Sequence, residues 1–232
     1  MNGNTSERAV VLASGGLDST VAAAVARRDG YILSLLTIDY QQRHVVEVQR
    51  AKHVAQALGA EQHVVVNVDL RAIGGSSLTD TLTVPKDRSE SELGHNVPNT
   101  YVPGRNLIFL SLAAAYAEAV GATVIYFGAN VVDYSGYPDC RLEFIKAVEA
   151  VLRIGTKAGM TGKHIEIRAP LLRLTKADII RLGLSLSAPL HLTHSCYDPH
   201  GSIACGHCDS CLIRKRGFAE VGVVDPIQYA VW

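Results

Sequence analysis

VVLASGGLDST, residues 10–20, sets the architecture of this chain. The apolar run at residues 10–13 predicts a buried strand, and the alanine-rich run at residues 19–28 predicts a helix that follows it. Between them, Gly15 and Gly16 let the backbone approach an anion closely, because no Cβ intervenes. The helix start adds unpaired N–H groups and the positive end of its dipole. The stretch therefore predicts a phosphate-binding loop, with a generic tight turn as the alternative.

Strand and helix patterns alternate along the rest of the chain. This order favours an α/β fold: a doubly wound, mostly parallel, five-stranded sheet with helices on both faces. A further helix opens at Thr175, with Asp178 placed to complete a capping box. The predicted strands are residues 10–13, 31–38, 61–68, 123–127 and 164–168, and the other helices are residues 19–28, 45–58, 106–120 and 142–157.

Four polar or glycine-rich segments follow the predicted strands. They are the Ser-Gly-Gly turn, Asp39, residues 128–134 and the Ala169-Pro170 pair. In open parallel sheets, ligands bind outside the carboxyl ends of the strands. We therefore expect these segments to converge on one site.

A length of 232 residues suits one α/β domain, with two small domains as the alternative. Lys+Arg and Asp+Glu both number 22, so the chain lacks the positive excess of a protein that wraps nucleic acid. The basic run at residues 214–216 is interpreted as a solvated helix face. Neither a signal peptide nor a run of about 18 apolar residues is found. We therefore expect a cytoplasmic protein with no membrane partner.

One domain boundary is predicted within this length. Residues 1–190 are expected to form the nucleotide-binding domain, and residues 191–232 a metal-binding helical segment packed on it. Residues 69–104 interrupt the alternation with a stretch rich in Ser, Thr, Asp, Pro and Gly. Long irregular segments in compact domains are usually functional lids or inserts. A lid that orders on substrate is favoured over a plain surface insert.

The phosphate-binding loop lacks the Gly-Lys-Ser/Thr ending of a Walker A sequence. The loop therefore has no lysine to bind a γ-phosphate. This absence suits an enzyme that holds pyrophosphate while chemistry occurs at the α-phosphate. Asp18 is interpreted as a Mg²⁺ contact, direct or through water, or as a partner that orients the loop. The expected ATP-binding residues are Ala13, Ser14, Gly15, Gly16, Leu17, Asp18, Ser19 and Thr20.

Four cysteines, Cys196, Cys205, Cys208 and Cys211, crowd into sixteen residues near the end of the chain. Reduced thiols at this spacing match the all-sulfur, tetrahedral coordination of structural Zn²⁺. Four protein ligands leave no open position, so the metal is expected to hold the fold. An iron–sulfur cluster and redox thiols are the alternatives. Cys140 stands alone and is interpreted as a packed residue.

The Ser-Gly-Gly-x-Asp-Ser loop resembles the PP-loop family of ATP pyrophosphatases. Longer motifs are similar to the 7-cyano-7-deazaguanine synthase family: DYQQRH at residues 39–44 with Glu47, TYVPGRN at 100–106, GAN at 128–130 and DYSGYPDCR at 133–141. The similarity runs from Arg8 to about Phe218. Two positions depart from the family, which usually has Gly at the position of Gln41 and an aromatic residue at that of His194.

The resemblance implies a carbon–nitrogen ligase of the queuosine pathway. Such an enzyme converts 7-carboxy-7-deazaguanine, ammonia and ATP into the nitrile, through an acyl adenylate, an amide and a second adenylation, with AMP and pyrophosphate released. It also implies bound zinc and a homodimer. Free ammonia is the expected nitrogen donor, because no cysteine nucleophile opens the chain and no glutaminase domain fits within it.

Asp18, Arg105 and Lys176 are the predicted catalytic group. Arg105 suits a phosphate or a carboxylate because its guanidinium is a planar fork. Lys176 either approaches the phosphates or is simply solvated. Substrate contacts are predicted at Arg105, Asn106, Asp133 and Tyr134, with turn chemistry as the alternative for the last two.

The residues are also compatible with two other functions. A PP-loop enzyme that acts on tRNA would need a basic face, and a thiolating one would need a persulfide-carrying cysteine. A non-catalytic homologue would bind nucleotide without turnover.

Overall fold

The computed structural model describes residues 7–42, 46–89, 97–132 and 136–230. Its single described sheet has five strands in the order β3-β2-β1-β4-β5, and every neighbouring pair is parallel. The predicted α/β sheet is confirmed. Because the order reverses between β1 and β4, a crevice opens at the carboxyl ends of these strands. The strands are β1 (Arg8–Leu12), β2 (Ile32–Asp39), β3 (Gln62–Asn67), β4 (Val124–Tyr126) and β5 (Glu166–Arg168).

The helices predicted at residues 19–28, 45–58, 106–120 and 142–157 begin and end within two residues of the predicted bounds. The helix predicted over residues 142–157 ends at Gly155, and Thr156 caps a separate short helix by accepting the Gly159 N–H at 3.0 Å. No helix in the described ranges is both long and apolar enough to cross a bilayer. The helices are α1 (Leu17–Arg28), α2 (Val46–Ala57), α3 (Arg105–Val120), α4 (Leu142–Gly155), α5 (Lys157–Met160), α6 (Lys176–Ser185) and α7 (Asp209–Val221).

Apolar side chains of β1 alternate between two cores, as the period-two geometry of a strand requires. Val10 and Leu12 face a core shared with α3 and α4. Ala9 and Val11 face a second core shared with α1 and α2. Helices therefore cover both faces of the sheet, as predicted.

Helices α6 and α7 pack beside α1 and bring the end of the chain to the phosphate-binding loop. A third core joins residues of α1, α6 and α7, including Val21, Ile180 and Phe218. Gly217 of α7 permits this close packing, because a Cβ there would lie 2.6 Å from Cγ of Lys176. The two helices thereby hold the lysine stem in a narrow channel.

The segment predicted as a lid docks on the cysteine-rich segment. The Asp87 N–H donates to the His207 carbonyl at 2.9 Å, and the backbones of Lys86 and Cys208 form an isolated antiparallel β-bridge. The guanidinium of Arg88 is ion-paired with Asp209. The part of the insert at residues 86–88 is thus held in place, and the function of the insert as a lid stays a prediction.

The basic run at residues 214–216 is only partly a solvated face. Lys215 and Arg216 are exposed, whereas Arg214 is 2% exposed. Its guanidinium donates to both carboxylate oxygens of Asp225, at 2.8 and 3.0 Å, and to Thr193 Oγ1 at 2.7 Å. The expectation of a solvated face is wrong for Arg214, because a buried acid from the end of the chain pairs with it.

Candidate active site

The phosphate-binding loop lies between β1 and α1 and is held by its own hydroxyl groups. Ser14 Oγ and Ser19 Oγ are 3.0 Å apart, and the Gly16 N–H donates to Ser14 Oγ at 3.2 Å. Thr20 Oγ1 donates to the Gly16 carbonyl at 2.8 Å. These contacts fix the backbone before any ligand arrives, which lowers the ordering cost of binding.

Gly15 is required by the packing behind the loop. It has a φ of 81°, and a Cβ there would lie 2.4 Å from the Glu47 carbonyl oxygen and 2.7 Å from the Ala51 nitrogen. Helix α2 therefore contacts the loop backbone directly. Gly128, after β4, permits a similar close approach to the start of α1, since a Cβ there would lie 3.0 Å from the Ser19 nitrogen.

The segment that precedes the cysteine cluster contacts the same loop. The His194 N–H donates to the Gly15 carbonyl at 2.9 Å, and Ser195 Oγ accepts the Leu17 N–H at 3.3 Å. The sequence alone did not indicate Ser195 as a site residue. The signal available was only its position beside Cys196, because the contact joins residues 178 positions apart.

Lys176 reaches the amino-terminal turn of α1. Its Nζ donates to both carboxylate oxygens of Asp18, at 2.6 and 2.8 Å, and the residue is 8% exposed. The capping box of Thr175 and Asp178 is present and sets the start of α6. Of the two interpretations of Lys176, the solvated one is wrong.

Arg105 is the first residue of α3 and faces aromatic rings. Its guanidinium carbon lies 6.0 Å from the ring centroid of Tyr40 and 5.9 Å from that of Phe109. The helix start is held by Asp139, whose Oδ2 accepts the Asn106 N–H at 3.2 Å. Arg105 and Asn106 are therefore positioned by a residue more than thirty positions away in sequence.

These groups enclose a cavity of about 250 Å³ at the carboxyl ends of β1, β2 and β4. Of the eight predicted ATP-binding residues, Gly15 and Thr20 do not line it. Predicted substrate residues Asp133 and Tyr134 lie outside the described residues. The predicted residues that do line it are Ala13, Ser14, Gly16, Leu17, Asp18, Ser19, Arg105, Asn106, Lys176 and Cys196.

Ionisable groups in this cavity are shifted by burial. Burial raises the pKa of Glu47 to about 7, although Arg105 and a hydrogen bond from Gln42 oppose the shift. Burial raises the pKa of Tyr40 to about 12. Burial also raises the pKa of the Cys140 thiol to about 12, which agrees with its interpretation as a packed residue. The sequence motifs included Glu47 without assigning it a role.

The four predicted metal ligands come together as a buried cluster. The sulfurs of Cys196, Cys205, Cys208 and Cys211 all lie within 4.8 Å of one another. Tetrahedral bonds of about 2.3 Å to one ion place sulfurs about 3.8 Å apart. Backbone N–H groups of residues 198 and 205 point at the Cys196 sulfur, at 3.4 and 3.2 Å. The residues therefore fit one metal ion held by four thiolates.

The family model described as queuosine biosynthesis protein QueC matches residues 8–222. The chain belongs to this family. A 7-cyano-7-deazaguanine synthase from Anaeromyxobacter dehalogenans (strain 2CP-C) is 56% identical over 224 residues, 96% of each chain. One from Myxococcus xanthus (strain DK1622) is 55% identical, over 96% of this chain and 97% of the relative. The QueC match confirms the family resemblance.

Solved structures support the fold of this QueC family member. The structure of a 4-thiouridine synthetase–RNA complex with bound ATP has a TM-score of 0.52 and 19% identity. The alignment covers 93% of this chain and 50% of that one. At this identity the likeness shows a shared fold alone.

Neither departure from the QueC pattern disturbs the loop. Gln41 has a φ of 58°, the left-handed conformation that favours the glycine expected there. His194 is 2% exposed and contacts the loop through its backbone N–H, which any residue but proline would supply. Both positions are therefore compatible with the backbone conformation of the loop.

Proposed function

We propose that this chain converts 7-carboxy-7-deazaguanine and ammonia into 7-cyano-7-deazaguanine, at the expense of ATP. One observation carries the proposal: the loop at residues 14–19 and the start of α1 open into the same cavity as Arg105 and its aromatic neighbours. An anion held by the loop therefore lies beside a pocket that suits a flat heterocycle. The curated relatives bear the name of this synthase, not that of a tRNA thiolase or of a binding protein.

ATP would place its pyrophosphate on the loop. Backbone N–H groups, the hydroxyls of Ser14 and Ser19, and the dipole of α1 all favour negative charge there. Lys176 supplies a positive charge beside Asp18, where the α-phosphate would meet the substrate. This arrangement stabilises the charge that develops as pyrophosphate leaves.

The deazaguanine would enter from the aromatic side. Arg105 is placed to bind its carboxylate, because a guanidinium pairs with a carboxylate through two parallel hydrogen bonds. The ring would stack between the side chains that surround Arg105, among them Tyr40 and Phe109. Contacts from Asn106, Asp133 and Tyr134 complete the proposed substrate set.

The reaction follows from the poor electrophilicity of a carboxylate. Transfer of AMP to the carboxylate gives an acyl adenylate, and attack by ammonia gives the amide with loss of AMP. A second ATP activates the amide oxygen, and loss of AMP leaves the carbon–nitrogen triple bond. Both adenylations need the same loop and the same cations, so one site serves both.

Zn²⁺ is the proposed occupant of the four-cysteine site. Sulfurs within 4.8 Å of one another suit a single ion, whereas a cluster with several irons needs its thiolates farther apart. Bound there, zinc would supply structure, because four thiolates leave no open coordination position. Mg²⁺ bound with ATP would neutralise phosphate charge. Asp18 fits that ion through a free lone pair or a water, because Lys176 already binds both of its oxygens.

The remaining features of the proposal concern partners and location. Ammonia or ammonium from solution, not glutamine, is the proposed nitrogen source, and the substrates are small molecules, with no nucleic acid among them. The proposal includes a homodimer, which the family resemblance implied. Four reduced thiolates in one site suit the reducing cytoplasm.

The decisive experiment combines purified protein, 7-carboxy-7-deazaguanine, ATP and ammonium. Mass spectrometry should show the nitrile and its amide precursor, and nucleotide analysis should show AMP and pyrophosphate. Formation of ADP with orthophosphate would overturn the proposed chemistry. Faster turnover with glutamine than with ammonium would overturn the nitrogen donor.

A further inference from the structure

Glu47 is a carboxylate of the cavity that the reaction outlined above does not use. It lies in the first turn of α2, and its carbonyl oxygen is the atom closest to the Cβ position of Gly15. Its backbone is therefore tied to the floor of the phosphate-binding loop, and its side chain lines the same cavity. Gln42 Nε2 donates weakly to Glu47 Oε2, at 3.4 Å.

The other carboxylate among the described residues of the cavity wall is Asp18. Lys176 Nζ donates to both carboxylate oxygens of Asp18, so both oxygens are already occupied by the lysine. Glu47 has no lysine or arginine within salt-bridge distance in the part of the chain that the structure describes. Of the two acids, Glu47 is the one available to take up a proton.

The proposed reaction has to dispose of protons on nitrogen. Ammonium carries four hydrogens and the nitrile nitrogen carries none, so every one of them must leave during the two half-reactions. The first must leave before attack, because ammonium has no lone pair. A buried site in which this happens repeatedly needs a proton acceptor beside the acyl carbon.

We propose that Glu47 is the general base that deprotonates the nitrogen donor; this inference rests on the proposed function. The Glu47 carboxylate takes a proton from ammonium, and the electrons of that N–H bond remain on nitrogen as its lone pair. The lone pair forms the C–N bond to the acyl adenylate. A second N–H proton then passes to water, the C–O bond to the adenylate breaks, and AMP departs with that electron pair. Glu47 returns its proton to solvent before the next transfer.

The groups around Glu47 suit its proposed role as a general base. Burial raises the pKa of the carboxyl to about 7, near the pH at which the enzyme would work. Arg105 of α3 faces it and favours the ionised form, and Tyr40, after β2, disfavours it only when itself ionised. Tyr40 and Cys140 are poor bases at neutral pH, because burial raises the pKa of each to about 12 and keeps the proton on.

The dependence of kcat/KM for total ammonium on pH tests the proposal in the wild-type protein. If the site binds ammonium and Glu47 removes its proton, kcat/KM should rise with pH up to about 7 and then stay level. If the site captures free ammonia without a base, the rise should continue to the pKa of free ammonium. A continuous rise would overturn the proposal.

Glu47→Gln keeps the size of the side chain and removes the base. We expect kcat with ammonium to fall about 100- to 10,000-fold and the inflection near pH 7 to vanish. A weakly basic amine such as hydroxylamine is already neutral at pH 7, so it should react with the variant's acyl adenylate at close to the wild-type rate. Glu143→Gln is the matched control, because Glu143 is an exposed glutamate in the first turn of α4.

Three further outcomes separate the explanations. A rise in KM for the deazaguanine, with kcat unchanged, would mean that Glu47 recognises the heterocycle, and would overturn the proposal. An equal loss of kcat with ammonium and with hydroxylamine would mean that Glu47 has a structural role, and would also overturn the proposal. If Glu47→Gln does not fold, Glu47→Asp should retain the pH inflection with a lower kcat.

Exchange of labelled pyrophosphate into ATP, measured without ammonium, tests the underlying function separately. Wild-type protein that shows no exchange with the carboxylate would defeat the proposed function itself. Exchange in both wild type and Glu47→Gln, with nitrile formed only by the wild type, would support both proposals.

Discussion

The Nζ atom of Lys176 lies 2.6 and 2.8 Å from the two carboxylate oxygens of Asp18, although the residues are 158 positions apart. The pair joins the first turn of α6 to the first turn of α1. It places the lysine ammonium where the loop meets the cavity. The lysine stem is enclosed by the close approach of α7 at Gly217.

Replacement of Lys176 by methionine should lower kcat about 100-fold, the usual effect of losing one donor that stabilises transition-state charge. The apolar stem would still fill its channel, so the melting temperature should change little. Steady-state assays of AMP release would measure the effect, with Lys146→Met, at an exposed position on α4, as the control. A change of less than about threefold would remove Lys176 from the catalytic group.

Gly15→Ala should destabilise the protein and abolish ATP binding. The new Cβ would clash with the α2 backbone, and alanine is strained at a φ of 81°. Gly30→Ala is a matched control, because its φ is 90° and nothing lies within 4 Å of a Cβ there. Gly30→Ala should lose only the free energy of backbone strain, about 1 kcal/mol or more. The additional loss of unfolding free energy in Gly15→Ala then measures the cost of the clash with α2. Equal destabilisation would show that α2 yields to the new methyl group.

Removal of the metal should weaken nucleotide binding as well as the fold. The residues just before Cys196 hold the loop through the His194 N–H and Ser195 Oγ. Loss of one such hydrogen bond, about 1 kcal/mol, lowers ATP affinity several-fold. Calorimetric titration before and after chelation under reducing conditions would measure it. Cys205→Ser should lose metal in elemental analysis, whereas Cys140→Ser should keep it; metal retained by both would contradict the four-cysteine site.

Arg214→Met should cost about 3–5 kcal/mol of folding free energy, because Asp225 would remain as a buried charge without its partner. The double variant with Asp225→Asn should recover much of that loss. Denaturant unfolding of the single and double variants would show the recovery, and Arg216→Met would serve as the exposed control. No recovery of stability in the double variant would mean that lost packing, not the unpaired charge of Asp225, causes most of the destabilisation.

The stability difference between wild type and Glu47→Gln should depend on pH. The pKa of Glu47 is raised from its ordinary value of 4.5 to about 7, so the folded state holds a proton that the unfolded state has lost in this interval. The wild type therefore loses stability as pH rises from about 4.5 to 7, and the glutamine variant does not. Because the side chain is partly open to the cavity, we expect an effect on the order of 1 kcal/mol. Parallel unfolding curves at pH 4.5 and 8 would check it; a constant difference would contradict the shift.

Much of the fold could be predicted because its signals are local. The apolar runs that become β1 and β2, the Ser-Gly-Gly turn and the capping box at Thr175 each depend on residues within one element. The break at Gly155 was missed, because the helical pattern continues through residue 157 and only the Thr156 cap interrupts it. The insert at residues 69–104 carried no periodicity, so its docking on His207 and Asp209 could not be foreseen.

Spacing and backbone preference within short stretches of sequence predicted the parallel sheet, the glycine-rich loop after β1 and the grouping of the four cysteines. Three contacts depend on how distant segments fold together: Lys176 binds Asp18, Ser195 contacts the loop, and Arg214 is buried with Asp225. The same packing buries Glu47 and raises the pKa of its carboxyl to about 7. The reason is physical: ion pairing and pKa depend on desolvation and distance, which arise when segments far apart in the chain pack together.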